Sequence, residues 1–146
     1  MNGAGMTANN MVFASIGERF VASMIDAVIM ILVLLGVAVV AGILMALIRS
    51  QLLGLFIGPL ASLAILAYYV YLPTTSRQGT LGKSIMKIKI VDYNGNKIQL
   101  GRSLGRYLVQ TMLSQLILGF GYWMAFFNEK HQTLHDMIAK TYVVKA

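Results

Sequence analysis

Two stretches of this chain, residues 27–48 and 52–72, run without a single charged side chain. At 1.5 Å per residue, ~20 apolar residues cross the hydrocarbon core of a bilayer, and each stretch reaches that length. A soluble helical bundle would place polar residues at every turn, and these runs do not. The pattern predicts a membrane-spanning helix over about residues 20–48, a short turn at 49–51, and a second span over about 52–72. Ser15 precedes an amphipathic entry at 16–23 and is placed to cap the first helix. Ala38, Gly42 and Ala46 fall four apart in the first span, and Gly54 and Gly58 form a GxxxG in the second, ahead of Pro59. Such small-residue faces let helices approach closely, so the spans are expected to pack as an antiparallel hairpin.

Beyond the second span the periodicity changes. Lys87, Ile88, Lys89 and Ile90 alternate, Val91 follows, and residues 92–96 hold a glycine and two asparagines before 97–100. This predicts a short β-hairpin in a polar loop over 73–102, with an unstructured basic loop as the alternative. From about 103 to 127 a third segment carries polar residues four apart: Arg102, Arg106, Gln110 and Ser114, then Ser103, Tyr107, Thr111 and Gln115. That spacing lines them up on one helical face. Such a stripe faces a cavity or lies in the membrane interface, since lipid cannot satisfy it. Gly119 and Gly121 interrupt the segment, and Tyr122, Trp123, Phe126 and Phe127 suit an interfacial aromatic belt. The tail, 128–146, ends in a strand-like run from Thr141 to Val144. It is extracellular if the third segment crosses fully and cytoplasmic if that segment turns back.

Composition agrees with the pattern: 58 % of residues are hydrophobic and only 12 % charged, against about a quarter charged in soluble domains. The net charge of +7 concentrates in the 73–102 loop, with Arg77, Lys83, Lys87, Lys89, Lys97 and Arg102 against Asp92. Positive-inside bias places that loop and the N-terminus in the cytoplasm, with the protein in the plasma membrane. Tethered at both ends to the bilayer, the loop suits anionic lipid headgroups better than nucleic acid. No secretory signal is recognisable in residues 1–17, so the first span is expected to remain as an anchor. Without cysteine there is no disulfide and no thiol chemistry. No phosphate loop, HExxH or nucleophile with a placed base appears, so neither enzymatic activity nor a cofactor is expected. His131 and His135 beside Asp136 fall short of a metal-ligand set.

Three blocks of sequence carry a resemblance. They are Ile16-Gly17-Glu18-Arg19-Phe20-Val21-Ala22-Ser23-Met24-Ile25-Asp26, then Thr80-Leu81-Gly82-Lys83-Ser84 leading into Ile90-Val91-Asp92, and Gln132-Thr133-Leu134-His135-Asp136-Met137-Ile138-Ala139-Lys140-Thr141. In order and spacing the chain resembles the RDD family of small membrane proteins, named for one arginine and two aspartates, from about Val12 to Val144. The resemblance matches Arg19 and Asp26 to the first arginine and aspartate and Asp136 to the second aspartate. It implies a largely uncharacterised family in which transport, with cation/proton exchange in some members, is commonly proposed. A few relatives resemble assembly or quality-control partners of other membrane proteins.

An aspartate in an apolar helix costs roughly 2.5–3.5 kcal/mol at the membrane centre, so Asp26 needs compensation. Arg19, Ser23 and Asp26 share a helical face. A rise of ~10.5 Å nevertheless argues against a direct Arg19–Asp26 pair. Arg106, or Tyr107 with Gln110, is the expected partner of Asp26, and Asp136 that of Arg19 if the tail is cytoplasmic. The expectation is thus an all-α integral membrane protein of one domain, 1–146: a helical hairpin, a third polar-striped segment and a cytoplasmic β-hairpin-like loop. Its polar site is Arg19, Asp26, Arg106 and Asp136, with Ser23, Tyr107 and Gln110 beside it. The expected function is transport, with cation/proton exchange as its form, by a homo-oligomer, since three segments hardly enclose a pathway alone; the alternative is a scaffold or accessory subunit beside a larger membrane partner. In that alternative, the charges only hold helices together.

Overall fold

A computed structural model describes residues 11–49, 51–116, 127 and 129–146. The expected break at 119–121 and the aromatic belt, Phe127 apart, lie outside them. Helix α1 runs Ile16–Ile48. Its start is fixed by a reciprocal cap, in which the Glu18 backbone N–H donates to Ser15 Oγ at 3.2 Å and the Ser15 N–H to Glu18 Oε2 at 2.8 Å. It ends where Arg49 turns left-handed at φ 52°. Helix α2, Gly54–Leu66, continues through a π-helical turn, Ala67–Tyr71, and a 3-10 turn, Leu72–Thr74. Both rods, Ile16–Ile48 and Gly54–Thr74, are long and apolar enough to cross a membrane. Their large side chains stand open to the surroundings, Leu47 and Phe56 each 74 % exposed. Apolar surface on that scale belongs against lipid rather than water.

At 33 residues α1 measures about 50 Å, well beyond the ~30 Å hydrocarbon core. The surplus is its N-terminal part, where the buried positions Arg19, Ala22, Asp26 and Met30 form one stripe. Against that stripe sits a polar cap built from later elements: α3 (Leu81–Ile85), β1 (Ile88–Asp92), α4 (Leu100–Leu116), α5 (Leu134–Ile138) and β2 (Thr141–Lys145). The polar stripe of α4 turns toward the end of the second rod. There Ser103 Oγ donates to the Val70 carbonyl at 2.7 Å, and Tyr107 stacks on Tyr69 at 5.9 Å.

Two expectations fail. Strand β1 does not fold back on 97–100; it pairs antiparallel with β2, in the register Ile88↔Lys145 to Asp92↔Thr141. The predicted turn does form, with Gly95 at φ 79° and the Asp92 N–H on the Asn96 carbonyl at 2.9 Å, but it leaves only the bridge Val91↔Lys97. The C-terminal strand wins because Tyr142, Val143 and Val144 bury both faces of the pair. Residues 12–14 flank its other side, bridging Phe13 to Val144. The fold is therefore mostly helical with a small two-stranded sheet, not all-α. The close hairpin is also looser than expected. Among the described residues an added Cβ at Gly42 or Gly58 would meet nothing within 4 Å, whereas one at Gly54 would meet Met45 Cε at 3.5 Å. An open apolar cleft of about 480 Å³, lined by Gly36, Val40, Leu44 and Phe56 among others, separates the outer halves of the rods.

Candidate functional site

The polar stripe of α1 is occupied by two carboxylate centres built from distant parts of the chain. The first is Asp136, in the first turn of α5 and wholly buried. Arg106 Nε donates to its Oδ1 at 2.8 Å, and Arg19 Nη2 donates to its Oδ2. The Thr133 hydroxyl also reaches Oδ2, at 2.8 Å, and Arg19 Nη1 holds the His131 carbonyl. Burial pushes the Asp136 carboxyl up, but the two guanidinium groups outweigh it and hold it well below the usual carboxylate range. One carboxylate thus joins α1, α4 and α5, an arginine–aspartate–arginine arrangement in which both cations share one anion.

The second centre is Asp26, 3 % exposed. Tyr68 of the π turn donates its hydroxyl to Oδ1 at 2.6 Å, the Gly82 N–H donates to Oδ1 at 2.7 Å, and the Thr80 hydroxyl donates to Oδ2 at 2.5 Å. The Leu81 N–H in turn donates to the Tyr68 oxygen at 3.3 Å. Gly82 is required by proximity: an added Cβ would overlap the Ala22 carbonyl oxygen and sit 2.7 Å from Asp26 Oδ1. The π turn supplies the other half, because it rotates Tyr68 out of the α-helical pattern of the second rod.

The seven expected residues therefore separate. Arg19, Arg106 and Asp136 converge, whereas Asp26 binds neither Arg106 nor Tyr107 and Gln110, which is a correction. Asp136, brought by the tail, takes the charge of Arg106, and Asp26 is left to neutral donors. Ser23 donates to the Arg19 carbonyl of its own helix at 2.9 Å. Tyr68, Thr80 and Gly82 went unassigned. Thr80 and Gly82 stood in one of the shared blocks, and Tyr68 offered a polar tip in an apolar run, a signal that a buried tyrosine seeks a partner. Lys83, half-buried next to Gly82, lies within electrostatic reach of both centres. Burial, then repulsion by Arg106 and Arg19, pushes its ammonium down to about 7.

His135 is buried with Nε2 2.9 Å from Thr133 Oγ1. Burial pushes its ring down to about 3, with Arg106 and Arg19 adding to the shift against the pull of Asp136. Below its ordinary value of 6.5 the unfolded chain takes up a proton that the folded ring refuses. Stability should fall from there toward about pH 3, by up to about 1.4 kcal/mol per pH unit. Asp136 works the other way: its stabilisation is present above its ordinary value of 3.8 and vanishes only in far stronger acid. Thermal unfolding of wild type and His135→Gln between neutrality and about pH 4 separates the two, because the variant should show the shallower acid decline. Equal slopes would remove His135 from the explanation.

Among the described residues no group of three metal-ligating side chains converges. In comparisons with known proteins, the model of the RDD family matches residues 13–140. The chain is 43 % identical over 77 residues to the uncharacterized protein YxaI of Bacillus subtilis (strain 168), covering 53 % of this chain and 50 % of that protein. It is 34 % identical over 89 residues to YckC of the same organism, covering 58 % of this chain and 59 % of that one. Similarity to RP437 of Rickettsia prowazekii (strain Madrid E) is 34 % over 67 residues, 46 % of this chain and 36 % of that protein. The chain thus spans about half the length of the curated relatives it matches. No solved structure matches it.

Proposed function

Because this chain belongs to the RDD family, we propose that it is a membrane scaffold or accessory subunit, in which the charged residues fasten a polar cap to a helical hairpin. One observation carries this reading: both buried carboxylates are already filled. Asp136 accepts from Arg19, Arg106 and Thr133, and Asp26 from Tyr68, Thr80 and Gly82. A coupled cation/proton exchanger needs a carboxylate that trades a proton for an ion, and donors fixed on five segments oppose that exchange. The lipid-facing rods, with Gly36, Gly42 and Gly58 unapproached among the described residues, leave room for the helices of a larger partner.

The test is reconstitution of the full chain in proteoliposomes with an internal pH dye and imposed sodium or potassium gradients. Wild type is expected to carry no cation-dependent proton flux and to co-purify with a defined membrane protein. Asp26→Asn should lower stability by about 1–3 kcal/mol, the worth of hydrogen bonds to a charged group, with no change in flux. Cation-driven flux in wild type that Asp26→Asn abolishes while the fold survives would establish transport instead.

The orientation follows the basic loop, placed on the cytoplasmic face of the plasma membrane. Pairing of β1 with β2 and of Phe13 with Val144 keeps the N-terminal segment, loop and tail on one side, whichever side that is. Since the chain has no cysteine, single cysteines at Asn94 and Lys140 can be probed with an impermeant maleimide. Both should be labelled only in inside-out vesicles, and labelling on opposite sides would break the proposed topology.

A further inference from the structure

Between α3, α4 and the membrane end of the second rod lies a polar recess lined by Thr80, Lys83, Ser103, Arg106, Tyr107 and Gln110. Its cavity of about 20 Å³ admits one oxygen-sized atom. The hydroxyls of Thr80 and Ser103 are spent on Asp26 and the Val70 carbonyl. The cations are not. Arg106 gives Asp136 only its Nε, and among the described residues the Lys83 ammonium makes no hydrogen bond or ion pair. Neither nearby carboxylate can turn toward Lys83 without releasing its own donors.

The recess therefore holds an excess of donors and positive charge. Arg19, Arg106 and Lys83 face Asp136 and Asp26, and this surplus, with burial, disfavours the charge on Lys83. A group offering only acceptors and negative charge would relieve that strain, whereas a cation would add to it. Pro73 and Tyr69 complete the wall, at the level where a span passes from hydrocarbon to headgroups. Room for a single oxygen suits a tetrahedral oxyanion that seats one corner and leaves the rest outside.

We propose that this recess binds a phosphate oxyanion, carried by a membrane phospholipid or free in solution, with Lys83 and the outer nitrogens of Arg106 as its ligands. The site is independent of the scaffold reading, since neither carboxylate centre has to open for it. The probes are inorganic phosphate and short-chain phosphatidylglycerol, added to the full chain in a phosphate-free maltoside detergent. Either should raise the unfolding midpoint of wild type by about 3 °C or more. Lys83→Gln should lose that rise, and Lys87→Gln, which removes an exposed cation nearby, should keep it. A rise with both probes identifies an anion site open to water; a rise with phosphatidylglycerol alone identifies a headgroup site. Both support the assignment.

A second measurement needs no variant. Acetic anhydride labelling of wild type, read by mass spectrometry, should show Lys83 protected by the same probe about tenfold relative to Lys87, which serves as internal reference. No thermal shift with either probe, a full shift in Lys83→Gln, or unchanged relative labelling of Lys83 would each overturn the proposal.

Discussion

Replacing Asp136 by asparagine should cost about 3–5 kcal/mol, the penalty of leaving buried charge uncompensated. The amide has nearly the same shape as the carboxylate, so the loss is electrostatic. Arg19 and Arg106, 7 % and 6 % exposed, would remain buried with no anion between them. Three segments depend on that anion, since α1 reaches it through Arg19, α4 through Arg106, and α5 carries it. The double variant Asp136→Asn with Arg106→Met should recover part of the loss, because one orphaned cation goes with it. A double-mutant cycle read by unfolding in detergent isolates that coupling, expected at about 1–3 kcal/mol. A single-variant loss under about 1 kcal/mol, the range of an exposed pair, would mean that the cluster does not hold the cap.

Gly82→Ala should be nearly as damaging, although alanine is the better helix former by about 1 kcal/mol. Steric overlap decides the sign. The new methyl would run into the Ala22 carbonyl oxygen of α1 and into Asp26, and neither can retreat within a 33-residue helix. Helix α3 must move instead, taking the Gly82 N–H and the Thr80 hydroxyl away from Asp26. Overpacking costs about 1–3 kcal/mol, and the lost hydrogen bonds to a charged acceptor add to it. Gly101→Ala is the control, since an added Cβ there meets nothing within 4 Å. It should be neutral or stabilising. Limited proteolysis across residues 75–79, with unfolding midpoints, distinguishes the two, and equal behaviour would show that α3 does not seat on α1 as described.

The two predictions differ in how far their residues could be seen beforehand. Arg19 stood out as a charge beside an apolar run and Asp136 only through the family resemblance, and their pairing was anticipated on condition that the tail is cytoplasmic. Gly82 gave no such signal: its role comes from a backbone approach 56 residues away in sequence from Asp26. Likewise β1 was visible from its alternation, but its partner was misplaced. A turn at 92–96 is a local preference, whereas pairing with β2 is decided by what buries Val91 and Tyr142 together.

By itself the sequence determined the parts that depend on period and polarity over short spans. These are the two apolar rods, the cap at Ser15, the polar stripe of α4, the basic character of the loop, and which charged residues need partners. Such features follow from the cost of exposing or burying each side chain in its own helix or strand. Only the tertiary structure decided who partners whom. It gave Arg106 to Asp136 rather than Asp26, gave Asp26 to Tyr68, Thr80 and Gly82, and joined β1 to the C-terminal strand. Each choice is a competition among donors and strands 30 to 117 residues apart. It is settled by which arrangement answers the two buried carboxylates and pairs the strand edges, a condition that no local window of the chain contains.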